Sequence, residues 1–245
     1  MENNITIIIK TFNRPICLER LLSSIEEYYP ELKVLILNDG DKKFTSNNTN
    51  FRFINTEFDI GLSEGRNRLI EQVNTKYFLL LDDDTFFLNK ETIPKMYEIL
   101  ENNSDIDLIA GCMSNTMKCC ALIKEIDNEN IEFYNGYKSY NEKYNYYVCD
   151  VVENFFLGRT DVFKSQNIKW DSELKMGEHS IFFYNMWKNF KLNIGYCPDI
   201  KIGHNHLTPD CNYSKMRHRA KDFILIGMKK YGLKTLKSFG KLWKI

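Results

Sequence analysis

The chain has 245 residues, of which 43% are hydrophobic and 27% charged. That balance suits one α/β domain with a full core and excludes a disordered chain. Basic and acidic residues both number 33, but they are unevenly spread: from Tyr213 to Ile245 ten Lys or Arg face one acid, Asp222. The body is therefore acidic and the tail basic. No apolar run is long enough for a bilayer-spanning helix, which needs about 18 residues. "MENNITIIIK" lacks the basic n-region and the cleavage site of a signal peptide. The seven cysteines are scattered and form no C-x-x-C pair, as expected of reduced thiols in a cytosol.

In chain order, "ITIIIK" (Ile5 to Lys10) predicts a buried strand. Pro15 suits a first helical turn, and the following helix puts Leu18, Leu21, Leu22 and Ile25 on one face. "KVLILND" and "FRFINT" predict two more strands. "LSEGRNRLIEQV" predicts a helix, with Ser63 or Asn55 as candidate caps. "KYFLLLDDD" predicts a strand that ends in three carboxylates, "ETIPKMYEILEN" a helix and "DIDLIAGCM" a strand. This alternation predicts a mostly parallel central sheet flanked by helices, with ligands beyond the carboxyl ends of the strands. Residues 117 to 152 read as strand pairs around a tyrosine-rich loop containing Tyr137, Tyr140, Tyr144, Tyr146 and Tyr147. That loop suits either carbohydrate contact or a packed hairpin. "LNIGYCPDIKIGHNH" predicts a late strand. The expected division is a domain over 1–212 and a basic amphipathic helical tail over 213–245.

Asp82, Asp83 and Asp84 follow a strand that must be buried, so their mutual repulsion calls for a cation or for solvent. A hard divalent ion bound to oxygen ligands supplies the first. Asp82 and Asp84 would share a face if the strand persisted. Asp39 ends the second strand near the same sheet edge; there it either accepts hydrogen bonds from a nucleoside or forms an Asp-Gly turn. Arg66, at a helix start, either reaches a phosphate, clamps an acidic side chain, or pairs on the surface with Glu64 or Glu71.

The ordered set "TIIIKTFNRP…LERLLSSI…VLILNDG…GLSEGRNRLI…YFLLLDDDTFF" closely resembles the family 2 glycosyltransferases of the GT-A fold. Asn38 stands where many members have a first Asp, and Gly65 where many have Ala. Further on, "VVENFFLGRTDVFKS…WDSELKMGEHSIFFYNMWKN…YCPDIKIGHNH" resembles the β-1,4-N-acetylgalactosaminyltransferase branch. The resemblance implies inverting transfer from a UDP-sugar, best guess UDP-GalNAc, with Mn²⁺ or Mg²⁺. By match, Asp39 holds the nucleoside, and Thr11, Arg14, Arg66, Asp82 and Asp83 lie at the nucleotide-sugar. Asp84 is the likelier direct metal ligand, and Glu178 falls at the catalytic carboxylate.

Inversion needs one base to take the acceptor hydroxyl's proton, and a carboxylate in reach can serve. Without the resemblance, Glu178 reads sooner as a carboxylate at a helix N-terminus than as a base. His204 and His206 alternate along a strand end, and His204 is preferred as a further metal ligand. Trp170 and His179 are the acceptor-side candidates, Trp170 either stacking on a sugar or belonging to the core. The implied acceptor is an oligosaccharide or lipid-linked glycan. The basic tail suits either an anionic membrane surface or packing on the domain. The expected location is the cytoplasm, peripheral at the inner face of a membrane, and no nucleic-acid motif is present. A non-catalytic sugar- or nucleotide-sugar-binding protein is the alternative.

Overall fold

The structure, a computed structural model, describes residues 1–113, 120–206, 218–238 and 240–245. The strands are β1 (Ile5–Thr11), β2 (Lys33–Asn38), β3 (Phe51–Asn55), β4 (Tyr77–Asp82), β5 (Thr85–Phe86), β6 (Leu108–Met113) and β7 (Ala121–Asp127). They continue as β8 (Asn130–Asn135), β9 (Ser139–Asn141), β10 (Tyr146–Cys149), β11 (Phe156–Arg159), β12 (Ile194–His204), β13 (Thr235–Ser238) and β14 (Lys241–Lys244). The helices are α1 (Pro15–Tyr28), α2 (Leu62–Gln72), α3 (Thr92–Asn102), α4 (Thr160–Ser165), α5 (His179–Asn185) and α6 (Ala220–Lys230). A π-helical turn, Met186–Phe190, extends α5.

The central sheet runs β3-β2-β1-β4-β11-β6-β12-β10-β9, with β5 paired to β12. β3, β2, β1 and β4 are mutually parallel, and β11 enters antiparallel between β4 and β6. β1 is buried along its whole length because apolar layers cover both of its faces. Ile8, Leu37 and Leu80 pack toward α2 residues Leu69 and Ile70 on one side. Ile7, Ile9 and Leu79 pack toward Leu21 of α1 and Met96 of α3 on the other. That burial on both faces explains the unbroken apolar runs of β1, β2 and β4, where a one-sided strand would alternate. β2 lies on one side of β1 and β4 on the other, so the chain reverses direction across the sheet at the β1–β4 boundary. Ligands of open α/β sheets bind at such a switch point, beyond the strands' carboxyl ends.

α2 begins differently from the expectation. Gly61, at φ 96°, is its N-cap, and no side chain caps it. Ser63 Oγ instead donates to the Leu174 carbonyl at 2.6 Å, tying α2 to the second half of the chain. Asn55 is occupied by Asn38 and Phe44.

The tail also differs. Its expected boundary at 212/213 lies outside the described residues. α6 is helical, but the residues after it form the β13–β14 hairpin, and β13 joins β8 in a second sheet of order β14-β13-β8-β7. Gly232 (φ 70°) and Gly240 (φ 77°) stop the helix and turn the hairpin, conformations that glycine adopts without strain. Between them "TLKS" alternates, with Leu236 fully buried and opposite Ile131 and Trp243. Phe223, Met228 and Leu233 are buried as well. These apolar residues of the tail are thus spent on the domain core, while Ile226, Leu242 and Ile245 stay exposed. Among the described residues, no helix is long and apolar enough to cross a membrane.

The tyrosine-rich segment is the β9–β10 hairpin at the sheet edge. Tyr140 stacks on Tyr147 at 4.7 Å. Among the described residues Cys17, Cys120, Cys149 and Cys197 are free thiols.

Candidate active site

β4 stops at Asp82, and Thr85 Oγ1 donates to the Asp82 carbonyl at 2.8 Å to close a turn into β5. Asp82 and Asp84 therefore do not share one strand face; the turn sends them to different partners. Asp82 pairs with Arg66 at 2.7 Å. Asp83 and Asp84 divide the guanidinium of Arg14, at 2.8 and 2.9 Å. Thr11 Oγ1 donates to Asp83 Oδ2 at 2.7 Å. Burial pushes the Asp83 carboxyl up to about 7 against the pull of Arg14. Burial also opposes ionisation of Asp84, but hydrogen bonds and charge from His204 and Arg14 win and hold it well below the usual carboxylate range. Reciprocally, the Asp84 hydrogen bond raises the pKa of His204.

Asp84 faces two imidazoles. His206 Nδ1 is 2.7 Å and His204 Nε2 3.4 Å from Asp84 Oδ2. One ligand atom from each of Asp84, His204 and His206 lies within 4.8 Å of the others. Asp84 Oδ1 is buried with no hydrogen-bond partner among the described residues. A buried carboxylate oxygen in that condition is costly unless a cation serves it. One carboxylate and two imidazoles therefore fit a divalent metal. His204 was expected in this set, and His206 joins it. Arg20 braces the loop behind by donating to the carbonyls of Asp84 and Asn205 at 2.9 and 2.7 Å.

Glu178 is the N-cap residue of α5 and is 3% exposed. Its Oε1 accepts from Arg66 at 2.5 Å. Arg66 is fully buried and so binds two acids from distant parts of the chain, Asp82 and Glu178. Of the three roles the sequence leaves open for Arg66, the clamp is the one the geometry realises. Glu178 follows Gly177, whose φ is 69°. A Cβ on Gly177 would lie 2.9 Å from the Ala220 carbonyl, so the glycine lets α6 pack directly against this turn.

A cleft of about 310 Å³ joins these groups, at the lower end of the usual range for ligand pockets. Asp82, Asp83, Asp84, His204 and His206 line it together with Glu178 and His179. Lys10, Arg14 and Lys175 also reach it and supply positive charge. Asn154 lines it too, with a buried Oδ1 that has no partner among the described residues.

Three expected contacts change. Asp39 is fully buried; one oxygen pairs with Lys10 Nζ and the other accepts from the Gly61 N–H at 3.0 Å. It supports the cleft from beneath and does not line it. Trp170 is 2% exposed and stacked on Phe182 at 4.2 Å, with the Arg66 guanidinium 5.5 Å from its ring. It is core and cannot offer a face to an acceptor sugar. Thr11, 1% exposed, orients Asp83 from behind. His179 keeps its place at the cleft. Its Nε2 lies 2.8 Å from the Val152 carbonyl, and burial lowers its pKa.

The family model for glycosyl transferase family 2 matches residues 6–166. The chain belongs to that family. Within it, this family 2 chain is 30% identical over 212 residues to mouse "Beta-1,4 N-acetylgalactosaminyltransferase 2", covering 85% of the chain and 41% of that protein. It is 29% identical to mouse "Beta-1,4 N-acetylgalactosaminyltransferase 1" over 210 residues, covering 82% and 38%. The chain thus spans about two fifths of the length of these relatives. Its fold is that of S. aureus TarS 1-349 in complex with UDP-GlcNAc, at a TM-score of 0.62 and 17% identity, covering 91% of this chain and 66% of that one.

Lys10, Asn154 and Lys175 are among the polar cleft residues of this family 2 chain that sequence reasoning did not single out, and His206 was set behind His204. Lys10 had a signal: a lysine closing the run "ITIII" is a charge at a position that reads as buried. Asn154 and Lys175 had none, because nothing local marks a residue whose role depends on what faces it.

Proposed function

We propose that the chain moves a sugar from a UDP-sugar donor to a hydroxyl of a glycan acceptor, with inversion at the anomeric carbon and with a divalent metal. The observation that carries this reading is the placement of Glu178 and of the Asp84–His204–His206 set on one cleft. Asp84, His204 and His206 would hold the metal. Bound there, the metal supplies positive charge that stabilises the departing nucleotide diphosphate. Two imidazoles beside one carboxylate suit a transition ion such as Mn²⁺ better than oxygen-seeking Mg²⁺.

The chain's own groups do the rest. Glu178 takes the acceptor hydroxyl's proton. Arg66 occupies its Oε1 and so leaves Oε2 to receive that proton. The anchorage matters because a base acts only within hydrogen-bond reach of the proton, about 2.6–3.2 Å. Arg14, Lys10 and Lys175, each paired with an acid, place fixed N–H donors at the cleft for a diphosphate before and after the glycosidic bond breaks. GalNAc is the sugar of choice, on the names of the relatives at 30% and 29% identity. TarS, which has been crystallised with UDP and with UDP-GlcNAc, supports a uridine nucleotide.

The test is UDP release from a panel of UDP-sugars, with and without Mn²⁺, for wild type and Glu178→Gln. The expected outcome is metal-dependent turnover of one donor that falls by about 10²–10⁴ in the variant, while UDP binds with unchanged Kd. Failure of every UDP-sugar to bind in the presence of metal would sink the reading.

A further inference from the structure

Resting on the reading that the acceptor is a glycan, we infer that the molecule carries a second, non-catalytic carbohydrate site, formed by a tyrosine row across β9, β10 and β12 and the cavity beside it at Trp187. In register, Tyr140 of β9, Tyr147 of β10 and Tyr196 of β12 stand opposite one another across three strands. Side chains alternate faces along a strand, so these three share one face. Tyr140 stacks on Tyr147 at 4.7 Å, and Tyr137 meets the same ring at 4.8 Å. Tyr137 and Tyr140 are 54% and 43% exposed, so packing leaves the row open to solvent. It is also held in place: the Tyr140 hydroxyl donates to Asn145 Oδ1 at 2.9 Å, and Asn145 Nδ2 donates to Asp199 at 2.6 Å. Fixed rings with a polar tip suit the apolar face of a pyranose and its hydroxyls.

Two residues before Tyr196, on the same face of β12, Ile194 lines a cavity of about 520 Å³. This is larger than the catalytic cleft and within the usual range for ligand pockets. Its wall carries Trp187 among five charged side chains. Lys138, next to Tyr137 in the chain, pairs there with Asp150 at 2.5 Å, and Lys188 pairs with Glu125 at 3.2 Å. Donors and acceptors thus stand side by side near an indole. A sugar hydroxyl both donates and accepts, so such pairs serve it, whereas the core of a protein interface is depleted of charge. The fifth charge is Lys191, whose ammonium has no acidic partner among the described residues. Lys191 ends the π-helical turn in the left-handed region, at φ 54°. Glycine ends a helix that way without strain; the lysine takes the strain and sets its side chain on the cavity wall. The cavity lies at the start of β12 and His204 at its end. β6 runs beside β12 from Leu108, opposite Ile194, to Met113, opposite Ile202, which separates cavity and metal set by about 20 Å at the rise of a strand. A sugar in the cavity is therefore not the one that reacts, and the site holds the far part of a longer acceptor.

The experiment is calorimetric binding of chito-, galacto- and uronate-oligosaccharides, from single sugars to hexasaccharides, to the full chain without nucleotide or metal. It compares wild type, Glu178→Gln, the double variant Tyr140→Ser with Tyr147→Ser, and Lys191→Gly. Lys191→Gly removes the side chain and the backbone strain together, so its stability in a urea titration should hold or rise. The expected result is an oligosaccharide that binds wild type and Glu178→Gln equally. Its affinity should fall about 10-fold or more in the tyrosine variant, as for loss of an aromatic anchor. In Lys191→Gly it should fall about 3- to 10-fold, as for loss of a charged hydrogen-bond donor. Hydrolysis of the UDP-sugar donor, which needs only the cleft, should stay as in wild type in both. A wild type that binds no oligosaccharide, or one whose affinity depends on Glu178 and not on the tyrosines, overturns this inference and leaves the donor reading standing. A wild-type dimer that the tyrosine variant converts to monomer in sedimentation assigns the face to a second copy of the chain and overturns it as well. Failure of every UDP-sugar to turn over in wild type counts against the donor reading alone, and the oligosaccharide affinities still decide this one.

Discussion

The two halves of the molecule place their chemistry by different means. In the first, Thr11, Arg14, Asp39 and the Asp82–Asp84 run all sit at or just beyond the ends of adjacent parallel strands. β1 pairs with both β2 and β4, so sheet register alone brings them together. In the second, Glu178 sits on a turn that no strand fixes. It is held by Arg66, 112 residues earlier, and by α6, which packs on Gly177 from later in the chain. The first half is set by backbone hydrogen bonds and the second by side-chain contacts of long sequence separation. Nucleotide binding should therefore survive damage that abolishes transfer, and the reverse should be rare.

The largest effect should come from Arg66, whose buried guanidinium binds an acid from each half. Arg66→Met leaves Asp82 and Glu178 facing each other without their buried guanidinium. Breaking such a pair typically costs about 3–5 kcal/mol. We expect that loss in a urea unfolding titration, together with loss of turnover. A stability within about 1 kcal/mol of wild type would show that the clamp is not what joins the halves. Next is Asp84→Asn, which removes the first half's member of the Asp84–His204–His206 set. It should leave the fold intact and make UDP binding insensitive to Mn²⁺ over a calorimetric titration. Retained metal dependence would move the metal away from the Asp84–His204–His206 set.

The same contrast explains what could be read from the sequence. The order of strands and helices through Met113 was legible because each element carries its own period and its own stops, such as Pro15 before α1 and the carboxylates after β4. The acidic run, Glu178 and His204 were recognisable as residue types in a known order. Trp170 was not resolvable locally, since a tryptophan before a helix looks alike whether it faces sugar or core. Phe163 and Phe182, which settle the matter by packing on it, lie elsewhere in the chain. The tail misled for a related reason. Its lysines and apolar residues fit an amphipathic helix, but the period-2 stretch after Gly232 finds β8, more than 100 residues earlier. Asp39 was placed at the right sheet edge. Its partner Lys10 decides what it does, and a single strand-end motif does not contain that partner.

The smallest effect, and the most selective test of the contrast, is at Gly177. Alanine there must hold φ near 69° and put a methyl 2.9 Å from the Ala220 carbonyl. The left-handed conformation alone costs a non-glycine residue about 1–2 kcal/mol. The turn has two ways to relieve this: α6 moves away, or the backbone of 177–178 rotates. Either one shifts Glu178 relative to the cleft without touching Arg14, Asp83 or the β1–β4 boundary. Gly177→Ala should therefore lower kcat clearly while UDP Kd stays within about twofold, a difference of less than 0.5 kcal/mol. Glu178→Gln placed on top should then cost less than it does in wild type, because a displaced base has less left to lose. If UDP affinity instead falls in step with kcat, α6 supports the whole cleft, and the division between the halves is drawn in the wrong place.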